Sequence, residues 1–317
     1  MNILFMGTPD FAKESLEAIY NSGYNIIGIV TNPDKPKGRG MKMIASPVKE
    51  FGLEKDIPVY QPLKIRNNDS FIDEMKGLNP DVICVVAYGK ILPKEILDIP
   101  QYGCINVHGS LLPKYRGAAP IQWAVINGEK QTGITTMYMD VGMDTGDMIL
   151  KEVVDIGDDE TTGELWERLS KIGGKLLVNT LKLIESGNAP REKQSEEFTI
   201  APMLNKEMAQ IDWNKTAVEI KNLVRGLNPI MGAYTFIKDK KVKLWKVDAL
   251  SNKDAIEKNI VSIDKIQSTE IGDILIANEK QGLYLKAKDA IIETIEIQVE
   301  GSKKMNAKDF LRGHKLI

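Results

Sequence analysis

The sequence is poor in the residues that most often advertise chemistry. Among 317 residues there are two histidines and two cysteines. No Cys/His cluster has metal-ligand spacing, and Cys84 (DVICVVAY) and Cys104 (GCINV) each sit inside an apolar run. They read as two buried, reduced thiols rather than a disulfide or metal pair, as expected for a cytoplasmic protein. No apolar run approaches the roughly 20 residues that span a bilayer. MNILFMGTPDF opens directly on a strand pattern with no basic region ahead of it, so no secretory leader is expected. There are no internal repeats and no low-complexity tracts. A G-x-S-x-G nucleophile elbow is absent, which argues against a covalent acyl-enzyme route. A dinucleotide-binding G-x-G-x-x-G is absent too: the turn MGTPDFA supplies only Gly7, and Pro9 removes an amide that would cradle a pyrophosphate.

What is present is an ordinary globular composition, 43% hydrophobic and 27% charged, long enough for one large or two ordinary domains. A monomer is the default expectation. The net charge of -2 hides a basic C-terminal part. Between residues 221 and 250, Lys221, Arg225, Lys238, Lys240, Lys241, Lys243 and Lys246 face only Asp239 and Asp248. Lys303, Lys304, Lys308, Arg312 and Lys315 follow near the end, against Asp309. A near-neutral protein with one basic region suits a large anion touched on one side, although a lysine-rich face is usually only solvated.

The first half alternates apolar runs with amphipathic stretches. NILFMG (2–7), NIIGIVTN (25–32), DVICVVAY (81–88) and CINVHG (104–109) read as buried strands, and their continuous apolar character favours a parallel sheet covered on both faces. FAKESLEAIYNSG, SPVKEFGLEKD, FIDEMKGL and PIQWAVING read as helices between them. The pattern predicts an α/β fold, a doubly wound parallel sheet. ITTMYMD and DMILKEVVDI form a hairpin-like pair, and a helix capped at Thr161 or Thr162 runs to about Ser186. Residues 190–208 are polar and aperiodic and read as a linker between a domain at 1–189 and one at 209–317. After the helix TAVEIKNLVRGLN, short alternating segments predict a smaller β-barrel.

In such sheets ligands bind at the carboxyl ends of the strands, which singles out Gly7, Val86–Tyr88, Val107–His108 and Met139–Asp140. Asn106 and His108 alternate onto one side of a strand, placing a carboxamide beside an imidazole. Together they can stabilise an oxyanion, and the ring can move a proton; a structural histidine beside a turn is the plainer alternative. MDVGMDTGDM carries Asp140, Asp144 and Asp147 around two glycines, either an acidic surface loop or a turn that aims Asp144 at the histidine. NPDKPKGRGMKMIASPVK is a long, flexible, basic loop bearing Lys35, Lys37, Arg39, Lys42 and Lys49, either unassigned surface or an arm toward nucleic acid.

INVHGSLLPKYRGAAPIQWAVINGEKQTGITTMYMDVGMDTGDM resembles the signature region of the 10-formyltetrahydrofolate-dependent formyltransferases. NPDKPKGRG and the C-terminal β segment are similar to the tRNA-directed branch of that family. The resemblance implies a Rossmann-like catalytic domain followed by an OB-like barrel, with no metal. It implies 10-formyltetrahydrofolate as formyl donor and the acceptor end of initiator methionyl-tRNA as recipient. By position, Asn106, His108 and Asp144 correspond to the catalytic trio. Ser110, Leu111, Leu112 and Pro113, with Val86, Ala87, Tyr88 and Asp140, correspond to the folate wall. Arg39 corresponds to the residue that wedges at the acceptor end, and Lys35, Lys37, Lys42, Lys240, Lys241 and Lys243 are candidate tRNA contacts. The rivals are a formyltransferase acting on a small amine, such as glycinamide ribonucleotide or an amino-sugar nucleotide, and a non-catalytic folate- or RNA-binding module.

Overall fold

A computed structural model describes residues 1–37 and 42–314. The chain divides into two compact units, Met1–Pro120 with Gln131–Asp155 and Trp166–Pro202, and Ile121–Lys130 with Ile156–Leu165 and Met203–Ile317. Among the described residues no helix is long and apolar enough to cross a membrane.

In the first unit β1 (Asn2–Gly7), α1 (Asp10–Asn21) and β2 (Asn25–Val30) open the expected alternation. The arms of the basic loop then pair as an antiparallel ribbon of β3 (Lys35–Lys37) and β4 (Lys42–Ile44), with Lys35 opposite Ile44. This corrects the reading of that stretch as an open loop; three-residue strands are too short to show a period. The chain continues through α2 (Pro47–Glu54), β5 (Val59–Tyr60), α3 (Asp69–Leu78), β6 (Val82–Val86), α4 (Lys94–Leu97) and β7 (Cys104–His108). Then come β8 (Arg116–Gly117), α5 (Pro120–Ile126), which after Pro120 belongs to the second unit, β9 (Gln131–Tyr138), β10 (Met148–Asp155), α6 (Thr162–Glu185), which is in the first unit from Trp166 onward, and β11 (Ile200–Ala201).

The main sheet has seven strands in the order β10-β9-β7-β6-β1-β2-β5. β7, β6, β1, β2 and β5 are parallel, whereas β9 runs antiparallel to β7, and β10 antiparallel to β9. Strand order reverses between β1 and β6, the switch point where such sheets bind ligands. One edge expectation changes. Because β9 is antiparallel, with Tyr138 opposite Ile105 and Thr135 opposite His108, Met139–Asp140 leaves the sheet at the amino edge of β7.

The strand runs are buried because both faces are covered: Ile3, Leu4, Phe5, Ile83, Cys84 and Ile105 are fully inaccessible. Helix α6 begins with the expected capping exchange, Glu164 accepting from the Thr161 amide and hydroxyl at 2.8 Å. Its Gly173 and Gly174 explain a pair that helix propensity disfavours. A Cβ at 173 would lie 3.1 Å from Val107 and one at 174 would lie 3.0 Å from Ala18 and from the Glu14 carbonyl. The glycines let α6 lie directly against α1 and the strand that carries His108.

The second unit holds α7 (Ala217–Gly226), with a complete capping box between Thr216 and Glu219. β12 (Ala233–Ile237), β13 (Lys240–Leu250), α8 (Asn252–Glu257), α9 (Ile263–Ser268), β14 (Ile274–Asn278), β15 (Gly282–Lys286), β16 (Ile291–Val299), β17 (Met305–Asn306) and α10 (Ala307–Gly313) follow. All ladders of its six-stranded sheet are antiparallel, in the order β12-β13-β16-β15-β14, with β17 on β16. Ile220, Val224, Leu244, Leu283, Leu285 and Ile297 are among the residues of its core.

Candidate active site

His108 ends β7 and is 5% exposed. Its Nε2 lies 2.9 Å from the Tyr115 carbonyl oxygen. A carbonyl only accepts, so that nitrogen carries a hydrogen and donates it. The other ring nitrogen, Nδ1, faces Asp144 Oδ2 at 3.7 Å, an ion-pairing distance longer than a hydrogen bond. Nδ1 is therefore the ring atom at which a proton is gained or lost, and a carboxylate stands beside it.

Asp144 is held in place by backbone rather than by the ring. Its φ of 55° is left-handed, unusual for a residue with a side chain, and Oδ2 accepts from the Gly117 amide at 2.8 Å. Gly117 has φ 121°, and a Cβ there would lie 2.7 Å from the Ala201 carbonyl oxygen, so only glycine fits where these segments meet. Asn106 is half-buried, and among the described residues none hydrogen-bonds its carboxamide. Its N–H groups remain available to a ligand oxygen on the face where His108 also projects.

The segment after His108 is pinned from the neighbouring strand. Thr135, fully buried and opposite His108, donates to the Ser110 carbonyl at 2.7 Å and accepts from the Leu112 amide at 3.1 Å. Ser110 donates its hydroxyl to the Lys114 carbonyl at 2.6 Å, and Leu112 is buried with Met137 and Met148. The Leu112–Pro113 bond is cis. Of the residues expected to line the folate wall, Leu111 and Pro113 are half-buried and Ala87 is exposed, whereas Val86, Tyr88, Ser110 and Leu112 are buried. These four present almost no surface of their own to a ligand. Ala87 turns out of β6 with φ 44°, and the Tyr88 carbonyl accepts from Asn32 Nδ2 at 2.8 Å. Burial pushes the Tyr88 phenol up to about 12. Asp140 is exposed, its Oδ1 accepting from Thr145 Oγ1 and the Gly142 amide, so it shapes the loop that carries Asp144.

Residues 190–202 depart most from the sequence reading. They are aperiodic, but they lie in the first unit as a strap over the site rather than as a linker. Glu192 bridges Met148, Thr199 Oγ1 accepts from the Tyr115 amide at 2.8 Å, and β11 pairs in parallel with β8. Gln194 reaches the Asp144 loop. These bonds are made by single side chains and two-residue strands, which leave no periodic trace.

At the foot of the basic ribbon stands a polar clasp. Lys49 Nζ donates to Asp34 at 2.7 Å and to Gln61 at 2.8 Å, and Gln61 Nε2 donates to Asp34 at 2.8 Å and to the Asn32 carbonyl at 3.0 Å. The Lys49 ammonium, with Gln61, holds the Asp34 carboxyl below the usual range. Lys35 is exposed, Lys37 and Lys42 lie in β3 and β4, and Arg39 falls outside the described residues.

In the second unit Lys240 is exposed, and Lys241 and Lys243 are half-buried beside aromatic rings. Lys241 Nζ sits 3.5 Å from the Tyr234 ring centre; Lys243 is 5.3 Å from that of Trp245 and donates to the Met231 carbonyl at 2.7 Å. Phe236, 55% exposed, meets Tyr234 edge-on at 5.8 Å. Register places Tyr234 opposite Lys243 and Phe236 opposite Lys241, so these groups share one face. The charge count found the lysines; it could not find the aromatic surface between them.

Residues 1–181 match the family described as Formyl transferase, and residues 203–315 match Formyl transferase, C-terminal domain. The chain is 51% identical over 315 residues to the methionyl-tRNA formyltransferase of Clostridioides difficile (strain 630), covering 99% of this chain and 97% of that one. It is 48% identical over 325 residues to that of Caldanaerobacter subterraneus subsp. tengcongensis, covering 100% and 98%. Among solved structures it is similar to WlaRD, a sugar 3N-formyl transferase, at TM-score 0.64 and 19% identity, covering 93% and 97%. It is also similar to HypX from Aquifex aeolicus in complex with tetrahydrofolic acid, at TM-score 0.62 and 15% identity. That alignment takes in 98% of this chain but 46% of the HypX chain.

Proposed function

This chain belongs to the formyl transferase family, and from that membership we propose that it moves the formyl group of 10-formyltetrahydrofolate onto the α-amine of initiator methionyl-tRNA. The observation that carries the chemistry is His108 Nδ1 facing Asp144 at 3.7 Å on the strand that also presents the unpartnered Asn106 carboxamide. The proposed division of labour is catalysis in residues 1–189 together with the strap at 190–202, and tRNA binding in 209–317, in a cytoplasmic monomer.

When bound, 10-formyltetrahydrofolate supplies an electrophilic formyl carbon. The residues available to hold it are the half-buried Leu111 and Pro113 and the exposed Ala87, on segments fixed by the buried Val86, Tyr88, Ser110 and Leu112, with Asp140 keeping the Asp144 loop in shape. The free amine of the methionyl ester attacks that carbon directly, the new C–N bond replacing the bond to the folate nitrogen; no enzyme side chain is acylated. Asn106 donates to the formyl oxygen as it gains negative charge. His108, its Nε2–H committed to Tyr115, holds at Nδ1 the proton that the amine loses and the folate nitrogen receives. Asp144 stabilises the imidazolium during that passage. The ribbon bearing Lys35, Lys37 and Lys42 serves the acceptor end together with Arg39, which lies outside the described residues, and the Lys240, Lys241 and Lys243 face serves the phosphates, with Tyr234 and Phe236 available for stacking.

The test is transfer of labelled formyl from 10-formyltetrahydrofolate. Label is expected in charged initiator methionyl-tRNA and not in uncharged tRNA, glycinamide ribonucleotide or an amino-sugar nucleotide. Faster transfer to either small amine would overturn the assignment of the acceptor; label in none of them would overturn the reaction.

A further inference from the structure

Asp144 adopts a left-handed conformation, and besides the Asp140 carboxylate the main chain around it is held by a side chain from 50 residues downstream. Gln194 Nε2 donates to the main-chain carbonyls of Asp144 and Gly146, 2.8 Å each. An amide has two N–H bonds, and both are used. On the other side Gln194 Oε1 accepts from Arg116 Nε at 2.9 Å. These three contacts fix the amide's orientation. Carbonyls only accept and guanidinium only donates, so exchanging its oxygen and nitrogen would make every contact repulsive.

Arg116 is itself immobilised. It is 7% exposed, its guanidinium lies 4.5 Å from the centre of the Phe198 ring, and its backbone pairs with Ile200. The strap thus grips Arg116 from two sides, and Arg116 aims the Gln194 amide at the carbonyls flanking Thr145. We propose that Gln194 is a positioning residue for formyl transfer: it holds the main chain from Asp144 to Gly146 so that the carboxylate reaches both the Gly117 amide and His108 Nδ1. Gln194 acts only through that carboxylate. The inference rests on the reading of Asp144 as the catalytic partner of His108.

The experiment is a double-mutant cycle on the full-length enzyme with Gln194→Glu, Asp144→Asn and the pair, read as kcat and KM from formylation rates with methionyl-tRNA varied. Gln194→Glu keeps its length and gives Arg116 a better acceptor, while turning the donor beneath the loop into a repelling oxygen. The expected result is a ten- to hundredfold fall in kcat, the range a displaced catalytic group produces, with the KM for methionyl-tRNA unchanged. In the Asp144→Asn background the same substitution is expected to change nothing further. A wild-type kcat for Gln194→Glu, or an equal loss in both backgrounds, would overturn the proposal. Near wild-type turnover by Asp144→Asn alone would instead overturn the underlying reading of Asp144. Should Gln194→Glu fold poorly, Gln194→Met, which removes both donors at the same length, completes the cycle under the same two criteria.

Discussion

Replacing Asp144 by asparagine removes one charge and little else. The carboxamide oxygen can still accept from the Gly117 amide, so the loop keeps its anchor, and side-chain volume barely changes. What is lost is a negative charge 3.7 Å from His108 Nδ1, at a site where the two side chains are 6% and 17% exposed. Two unit charges at that distance, in surroundings with an effective dielectric near 20, attract by about 4 kcal/mol. If the imidazolium forms fully in the transition state, that is about a thousandfold in rate. Asp144→Asn is therefore expected to lose roughly a thousandfold in single-turnover formylation, with binding of tetrahydrofolate and the thermal midpoint nearly unchanged. The assay is quench-flow transfer of labelled formyl at saturating substrates, alongside fluorescence titration with tetrahydrofolate and a thermal melt. A variant within about threefold of wild type would show that His108 carries no proton in the rate-determining step.

Gly133→Ala would drive a Cβ into the Glu152 carbonyl oxygen and place it 2.6 Å from Leu111 Cδ2; a backbone atom cannot yield, so the β9–β10 ladder is expected to open at a cost of about 3 kcal/mol, seen as a melting point lowered by several degrees. Thr216→Ala dissolves the capping box of α7 and should lower stability by about 1 kcal/mol in a urea titration, with Thr216→Ser restoring most of it. Burial in adjacent strands pushes the Cys104 thiol from 9.0 up to about 12 and Cys84 upward as well. Neither should react with iodoacetamide at pH 8 in the native protein, and both should react once it is unfolded. The folded state thus retains protons that the unfolded chain releases; the thiols' contribution is intact below pH 9 and falls as pH rises toward 12, and melts across that range should show it.

How far the sequence could be read follows from where each feature keeps its information. β1, β6 and β7 were legible because both faces of a parallel strand are buried, which writes an unbroken apolar run. Helix α6 was legible from its stripe and from Thr161 with Glu164, whose reciprocal bonds demand those residue types at that spacing. Asn106 and His108 came from strand alternation alone. The direction of β9 was not written anywhere: an antiparallel neighbour and a parallel one can carry the same apolar string, and only pairing decides that Asp140 leaves by the opposite edge. Gln194 was equally silent, because its partners are main-chain carbonyls and any residues at 144 and 146 would offer the same oxygens. The aromatic platform beside Lys241 was hidden in a different way, since Tyr234 and Phe236 meet the lysines across a ladder rather than along the chain.

The strap also sets when the site comes into being. A ribosome delivers the chain from the amino end. Asn106, His108 and Asp144 have all been made before the residues that tie them together: Gln194 lies 50 positions beyond Asp144, and Thr199 lies 84 beyond the Tyr115 amide it accepts from. A nascent chain that has just passed β10 owns the complete trio, yet neither the Asp144 loop nor the Tyr115 segment has its tether. On the proposed assignment, the tethers are the last parts of the site to be synthesised, after the residues of α6. An interruption between residues 156 and 191 would leave a product that holds Asn106, His108 and Asp144 and lacks the tethers from Gln194 and Thr199.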